Sequence, residues 1–256
     1  MSEPVATQPL KGLRVLVTRP AHQAENPCRL IEAQGGVPIR LPLLSIEPAA
    51  QAAALLRQLD AARHWDGWLF TSANAVRHAI ALDRGPWPAF LAAVGAATAA
   101  ALEAGGHEVR AAPVEGASAE ALLALPEFQD VAGKRFLVLT GAGGLPQLQD
   151  TLRARGAQVD VAEVYRRVPL PYEAAALEEA LARAQVIVLT SGEALAQLHR
   201  LTPEAARKKL LSRQLVLPSR RVVETALELG FTRPPRVAEP MSDAAILRCL
   251  GEDPSS

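Results

Sequence analysis

The sequence predicts an α/β protein made of two similar domains, each built on a mostly parallel sheet. Three observations predict it. Short apolar runs of strand character alternate with Ala/Leu-rich helical segments, the pattern of βαβ units. Segments recur along the chain in the order A, B, A′, B′. Hydrophobic residues make up 49% of the chain and aromatics only 4%, so the core is Ala, Leu and Val, which suits helices packed on a buried parallel sheet.

Strands are expected over Arg14–Thr18, Gly67–Thr71, Leu91–Gly95, Arg135–Thr140, Gln185–Thr190 and Gln214–Pro218. Each is followed by a cap or loop residue and then a helical pattern, and the crossovers should be right-handed. The repeat is visible residue by residue. Phe70-Thr71-Ser72-Ala73-Asn74-Ala75-Val76 reads like Leu189-Thr190-Ser191-Gly192-Glu193-Ala194-Leu195. At an offset of 124 residues, Gly95–Gly106 matches Ser219–Gly230 and Ser118–Leu123 matches Ser242–Leu247. Val15–Thr18, with its helix and Gly35-Gly36, matches Leu137–Thr140, with its helix and Gly156. Periodicity leaves open whether A pairs with B or with B′. Leu41–Pro48 and Val161–Pro171 are extended, Pro-bounded stretches that read as two chain crossings, and two crossings favour the interleaved pairing of A with B′ and B with A′.

The charge balance narrows the function. With 27 basic and 27 acidic residues the formal net charge is zero, against the basic excess of a nucleic-acid surface. An anionic small molecule remains open, because local arginines decide that. Cys28 and Cys249 sit in helical patterns far apart and read as small buried hydrophobes of a reducing compartment, although a disulfide between them stays open. No Cys/His cluster has metal-ligand spacing. No apolar run reaches the roughly 18 residues that span a bilayer, and Met1–Gln8 lacks a signal-peptide core. A cytoplasmic protein without a membrane partner is expected. His22, His64, His78, His107 and His199 are scattered and read as surface residues, and neither a Ser/His/Asp order nor a carboxylate pair stands out.

What remains is chemistry at strand ends. In open parallel sheets ligands bind beyond the carboxyl ends of the strands. There the chain places Thr18-Arg19, Thr71-Ser72, Gly95-Ala96, Thr140-Gly141, Thr190-Ser191 and Pro218-Ser219. Small hydroxyl residues there cap the next helix and leave its first amides free to take carboxylates or phosphates. Each reads equally as a plain cap, worth about 1 kcal/mol. If two such domains face each other, their rims make a cleft rich in anion-binding amides. Arg19, Arg166-Arg167 and Arg220-Arg221 lie nearest these turns, either as carboxylate clamps or as solvated charge. Tyr165 lies on the second crossing, where its phenol either donates to a leaving group or packs the domain junction. Gly141-Ala142-Gly143-Gly144 is a glycine-rich turn without the third glycine of a dinucleotide fingerprint or the lysine of a P-loop.

Taken in order, Val15-Leu16-Val17-Thr18-Arg19-Pro20, Phe70–Val76, Ala93–Ala99, Gly116–Leu122, Val164-Tyr165-Arg166-Arg167 and Pro218–Val222 resemble the successive blocks of the uroporphyrinogen-III synthase family over nearly the whole chain. The resemblance implies two flavodoxin-like domains joined by a two-stranded linker: residues 1–40 with 170–256, residues 46–163, and linkers at 41–45 and 164–169. It implies a cyclising hydro-lyase of porphyrin and haem biosynthesis. Hydroxymethylbilane, a linear tetrapyrrole bearing acetates and propionates, loses its terminal hydroxyl. The last pyrrole attacks through its substituted carbon, and the spiro intermediate breaks and recloses with that ring inverted. Without enzyme the substrate closes to the uninverted isomer, so the task is to hold one shape and assist departure of the hydroxyl.

By the same resemblance Tyr165 assists that departure. Thr98 lies on the cleft wall, and Arg19 is the basic residue of the first turn. Ser72, Ser191 and Ser219, with the following Ala73 and Gly192, hold substrate carboxylates. No cofactor is implied; the partners are the substrate and, transiently, the upstream hydroxymethylbilane synthase, with the chain a monomer. The sequence departs from the family where many bacterial relatives read Arg-Gly-x-Gly-Gly-Arg: here Thr140 and Leu145 replace the two arginines, and Val222 stands at the repeat position of Thr98. The rival readings are a low-activity or non-catalytic paralogue that binds a tetrapyrrole or other polyanion, and an unrelated two-domain binding protein of periplasmic type, which the missing signal peptide disfavours.

Overall fold

The computed structural model describes residues 8–83, 85–144 and 146–252. The strands are β1 (Arg14–Val17), β2 (Val37–Arg40), β3 (Leu44–Pro48), β4 (Gly67–Phe70), β5 (Leu91–Ala93), β6 (Arg135–Gly141), β7 (Gln158–Pro169), β8 (Val186–Val188), β9 (Gln214–Leu217) and β10 (Arg236–Val237). The helices are α1 (Ala21–Ala33), α2 (Ala52–Ala61), α3 (Ala73–Leu82), α4 (Ala96–Ala104), α5 (Ala119–Leu123), α6 (Gln147–Ala154), α7 (Ala174–Arg183), α8 (Gly192–Leu201), α9 (Glu204–Leu211), α10 (Arg220–Glu228) and α11 (Asp243–Gly251). No helix among the described residues is long and apolar enough to cross a membrane.

The chain divides into two units. The first gathers the described residues of Met1–Ser45 and Val168–Ser256, and the second is Ile46–Arg167. The sheet of the first unit runs β2-β1-β8-β9-β10, which in chain order within the unit is the 2-1-3-4-5 arrangement of flavodoxin-like folds. The sheet of the second unit runs β3-β7-β6-β4-β5, and an isolated parallel bridge from Ala92 to Ala111 continues it beyond β5. If β6 and β7 are taken as the counterparts of β1 and β2, and β4, β5 and the Ala111 bridge as those of β8, β9 and β10, the two sheets share one order. The chain enters that order at different points: after the edge strand β3, which has no counterpart in the first sheet, the second unit lays down its third strand first. That permutation is the physical content of the A, B, A′, B′ repeat.

The ladders of β1 on β2 and β8, β8 on β9, β9 on β10, β4 on β5 and β6, and β6 on β7 are parallel. Burial on both faces explains why the strands read as continuous apolar runs. Along β1, Leu16 packs with Leu195, Leu198 and Leu177 on one face, while Val15 and Val17 pack with Cys28, Ile31 and Ile246 on the other. In the second unit Trp68 and Phe70 point to one core and Leu69 to the other.

Most strands end one or two residues before the sequence reading places their ends. Thr18, Thr71 and Pro218 lie outside the ladders as turn residues. β7 is a 12-residue strand: it is registered on β6 through Tyr165 and runs on to Pro169, and the division between the two units falls within it, at Arg167/Val168. Cys28 and Cys249 are buried free thiols in the same apolar cluster, and burial raises the pKa of both.

Candidate active site

In a doubly wound sheet the topological switch point lies where the strand order reverses, and the turns there open a crevice. In the second unit it lies between β4 and β6. Their ends are tied by Thr71 Oγ1, which donates to Thr140 Oγ1 at 2.9 Å. Thr140 is buried, so the residue standing in place of a family arginine serves the sheet edge instead of reaching outward. Leu145, at the second departure, lies outside the described residues.

Ser72 then starts α3. Its backbone is extended and its Oγ accepts from Ala75 N at 3.1 Å, leaving the amides of Ala73 and Asn74 at the helix mouth. The same Oγ lies 3.2 Å from the Tyr165 phenol oxygen. Tyr165 reaches it from β7 because the register shifts at Thr140/Gly141, pairing Gly141 with Tyr165, whose carbonyl accepts from Ala142 N at 2.8 Å. The tyrosine ring lies directly on Gly141: a Cβ there would stand 2.4 Å from Tyr165 Cζ, so no other residue fits beneath the ring without displacing it. The ring also stacks with His78 of α3, centroids 5.6 Å apart. Tyr165 is 5% exposed, yet it lines a cavity of about 520 Å³ with Gln51, Gln58, Ala142, Glu163 and Arg166. Cavities of this size hold small molecules. Glu163 accepts from Gly143 N at 3.1 Å and so fixes the glycine-rich turn at the cavity mouth.

The first unit has its switch point between β1 and β8. Thr18 Oγ1 donates to Val188 O at 2.7 Å. Ser191 caps α8 through Ala194 N at 3.1 Å, the same geometry as Ser72. Gly192 opens that helix with only the Val222 methyl nearby, at 3.7 Å from where a Cβ would be. Ser219 precedes α10 with an extended backbone and makes no side-chain cap bond. Arg19 is ion-paired: its Nη1 meets Asp243 Oδ1 at 2.6 Å, and Asn26 Nδ2 donates to Asp243 Oδ2 at 2.6 Å. Thr98 lies in the first turn of α4 and is 6% exposed, a buried position. The structure therefore brings Tyr165, Ser72 and Ala73 together in the second unit and Ser191, Gly192 and Ser219 onto the strand ends of the first.

The other arginines flagged by the sequence are split. Arg166 pairs with Glu47 at 2.7 Å, and Arg167 Nη2 donates to Ala142 O at 3.2 Å. Arg220 and Arg221 are exposed.

Three histidines depart from the surface reading. His78 stacks on Tyr165, while His107 lies flat on Trp87 at 3.9 Å, where burial lowers its pKa. His199 meets Arg207, and burial, then the Arg207 charge, lower its pKa too. Glu163, Gln51 and Gln58 carry no motif, and only the alternation of β7 with its neighbours could have pointed to Glu163. Among the described residues no group of three His, Cys, Asp or Glu side chains could hold a metal ion.

A family model described as uroporphyrinogen-III synthase HemD matches residues 28–245. The uroporphyrinogen-III synthases of Escherichia coli K12 and Salmonella typhimurium LT2 are each 36% identical over 249 residues, covering 93% of this chain and 100% of theirs. Two solved structures share the fold. A mutant uroporphyrinogen III synthase from Thermus thermophilus aligns with a TM-score of 0.62 at 24% identity, covering 94% of this chain and 100% of its own. The synthetase from Helicobacter pylori 26695 aligns with a TM-score of 0.62 at 14% identity, covering 93% and 98%. With the permuted pair of flavodoxin-like sheets and the phenol at a switch point, these matches show that the chain belongs to the uroporphyrinogen-III synthase family.

Proposed function

We propose that Tyr165 assists departure of the terminal hydroxyl in the cyclising dehydration of hydroxymethylbilane to uroporphyrinogen III, the family's hydro-lyase reaction. The observation that carries this reading is the Tyr165 phenol on Ser72 Oγ at a switch point, over a glycine and beside a cavity. The phenol gives its proton to the leaving hydroxyl, which departs as water. The pyrrole nitrogen lone pair pushes in behind it, leaving an electron-poor azafulvene cation. The substituted α-carbon of the last pyrrole attacks the methylene carbon that lost the hydroxyl; the resulting spiro species breaks its original bond to the bridging carbon of the neighbouring ring, and that carbon recloses on the free α-carbon of the last pyrrole. The ring carbon then loses a proton, which restores the balance. Ser72 keeps the phenol oxygen aimed and partnered as its charge changes.

The substrate is a polycarboxylate, and this reading assigns its acetates and propionates to helix-mouth amides. They are those after Ser72 at Ala73, after Ser191 at Gly192 and after Ser219, with Thr98 a wall residue of the second unit. Arg19 contributes through the α11 ion pair that shapes the first turn. The reading also assigns the reaction to the cytoplasm, in a monomer that receives its unstable substrate from the upstream synthase.

The test is to generate hydroxymethylbilane with its synthase, add this protein, oxidise and separate the isomers. Isomer III in large excess is expected; isomer I at the ratio seen without protein overturns the proposal.

A further inference from the structure

The first unit has a pocket of its own, at the end of its sheet where the strands begin. It encloses about 480 Å³ at the amino ends of β1, β8, β9 and β10, far along the strands from the turns that carry Ser191 and Ser219. Leu13 and Val186 form part of its wall, and its polar lining comes from Lys11, Gln185, Gln214, Arg233, Arg236 and Glu252. Three of these are cations and one is a carboxylate, in a chain whose formal net charge is zero.

Among the described residues, neighbouring arginines add further positive charge. Arg14 Nε donates to Arg183 O at 2.6 Å, and Arg213 Nη2 donates to Leu181 O at 3.0 Å; carbonyls accept these bonds but bring no negative charge. Arg236 Nη1 likewise donates to Cys249 O, and its carboxylate partner, Glu252, stands 3.8 Å away. Arg213, next in the chain to Gln214, has its Nε buried without a hydrogen-bond partner. Burial lowers its pKa, and the charges of Arg233 and Arg14 act in the same direction. Like charges gathered beside apolar walls repel through a medium that screens them less than water does. Such a cluster gains most from a counter-anion that touches several guanidinium forks at once.

We propose that this pocket binds a compact oxyanion carrying two or more negative charges, of the polyphosphate or polycarboxylate class. Gln185 and Gln214 supply neutral donors beside Lys11, Arg233 and Arg236. The pocket shares no residue with the turns assigned above to catalysis, and the proposal stands independently of that assignment.

The experiment is a thermal-shift and calorimetric titration of the full chain with inorganic pyrophosphate and, separately, with citrate, each against sodium chloride at matched ionic strength. Three forms are compared: the native protein, the double variant Lys11→Gln/Arg233→Gln, and Lys208→Gln, which removes an exposed cation elsewhere in the same unit. Native protein and Lys208→Gln should show the same saturable rise in Tm with at least one of the two anions, and which anion does so identifies the source. The double variant should bind at least tenfold more weakly. Without anion its Tm should equal or exceed the native value, because a like charge beside Arg213 is gone. That result also excludes misfolding as the reason for weak binding. Two outcomes overturn the proposal: no shift beyond sodium chloride with either anion, or equal loss of binding in Lys208→Gln and the double variant.

Discussion

The two units begin their helices alike and then diverge in chemistry. Ser72 and Ser191 cap α3 and α8 with equal 3.1 Å bonds, and Ser118 and Ser242 cap α5 and α11 with equal 3.2 Å bonds. The last turns agree as well: Gly106 and Gly230 both take positive φ after α4 and α10. At the switch points the units part. In the second, the strand beside Thr140 and Gly141 delivers a phenol to Ser72. In the first, the strand beside Thr18 delivers Leu41 and Leu43 into the apolar core, and Leu43 N donates to Thr18 O. The hydroxyls are also redistributed: the first unit has Ser219 before its helix and Val222 within it, while the second has Gly95 and Thr98. The two units agree in these helix starts and stops, and the proposed chemistry rests on one residue that a neighbouring strand supplies in the second unit alone.

The largest effect that sharpens this contrast belongs to the two glycines under it. Gly141→Ala drives a methyl into the Tyr165 ring; overpacking of this kind costs about 1–3 kcal/mol, and turnover should fall about a hundredfold or more as the ring leaves Ser72. Gly192→Ala, whose methyl meets only Val222 at 3.7 Å, should keep stability within about 0.5 kcal/mol. Urea melts and kcat measured on both would break the comparison if the two variants behaved alike.

Next come the twin caps. Ser72→Ala and Ser191→Ala should each lose about 1 kcal/mol of stability, the ordinary value of such a cap. Only Ser72→Ala should also lower kcat, by about tenfold, because only Ser72 holds the phenol. Ser191→Ala should raise KM and leave kcat alone. Equal kcat losses would mean that the units do the same work.

A smaller effect is expected at Asp243. Asp243→Asn weakens a half-buried ion pair with Arg19 and removes a carboxylate from the first turn of α11, together about 1 kcal/mol. Chemical denaturation should show the loss with kcat unchanged. The smallest effect is a pH slope. His107 and His199 have pKa values lowered in the folded state, so folding favours their neutral forms. Their contribution is complete above the ordinary imidazole value of about 6.5 and is lost as pH falls below it. Tm should decline from about pH 8 to about pH 5.5, and His107→Gln should flatten part of that decline.

The contrast also shows what a sequence can disclose. The repeat was legible because caps and helix-stopping glycines are local: a serine at a strand end or a glycine at positive φ acts within a few residues. The alternation of apolar runs with helical segments gave the parallel sheets for the same reason. Arg19 was visible as a cation near a turn, but its partner Asp243 lies 224 residues away, and no local pattern joins them. The register shift that seats Tyr165 on Gly141 depends on two strands meeting out of step, which neither strand encodes alone. His78 looked like a surface residue because a helix face is exposed or covered only by what packs against it. The cation pocket draws its lining from four strand starts and stayed invisible for that reason.

The central claim concerns one oxygen atom, and Tyr165→Phe removes it while leaving the ring on Gly141. Single-turnover rates of uroporphyrinogen III formation should fall by about a hundredfold, with a stability loss of about 1 kcal/mol from the hydrogen bond to Ser72. A variant that folds as well as the native protein and turns over within a factor of about two of it would contradict the account.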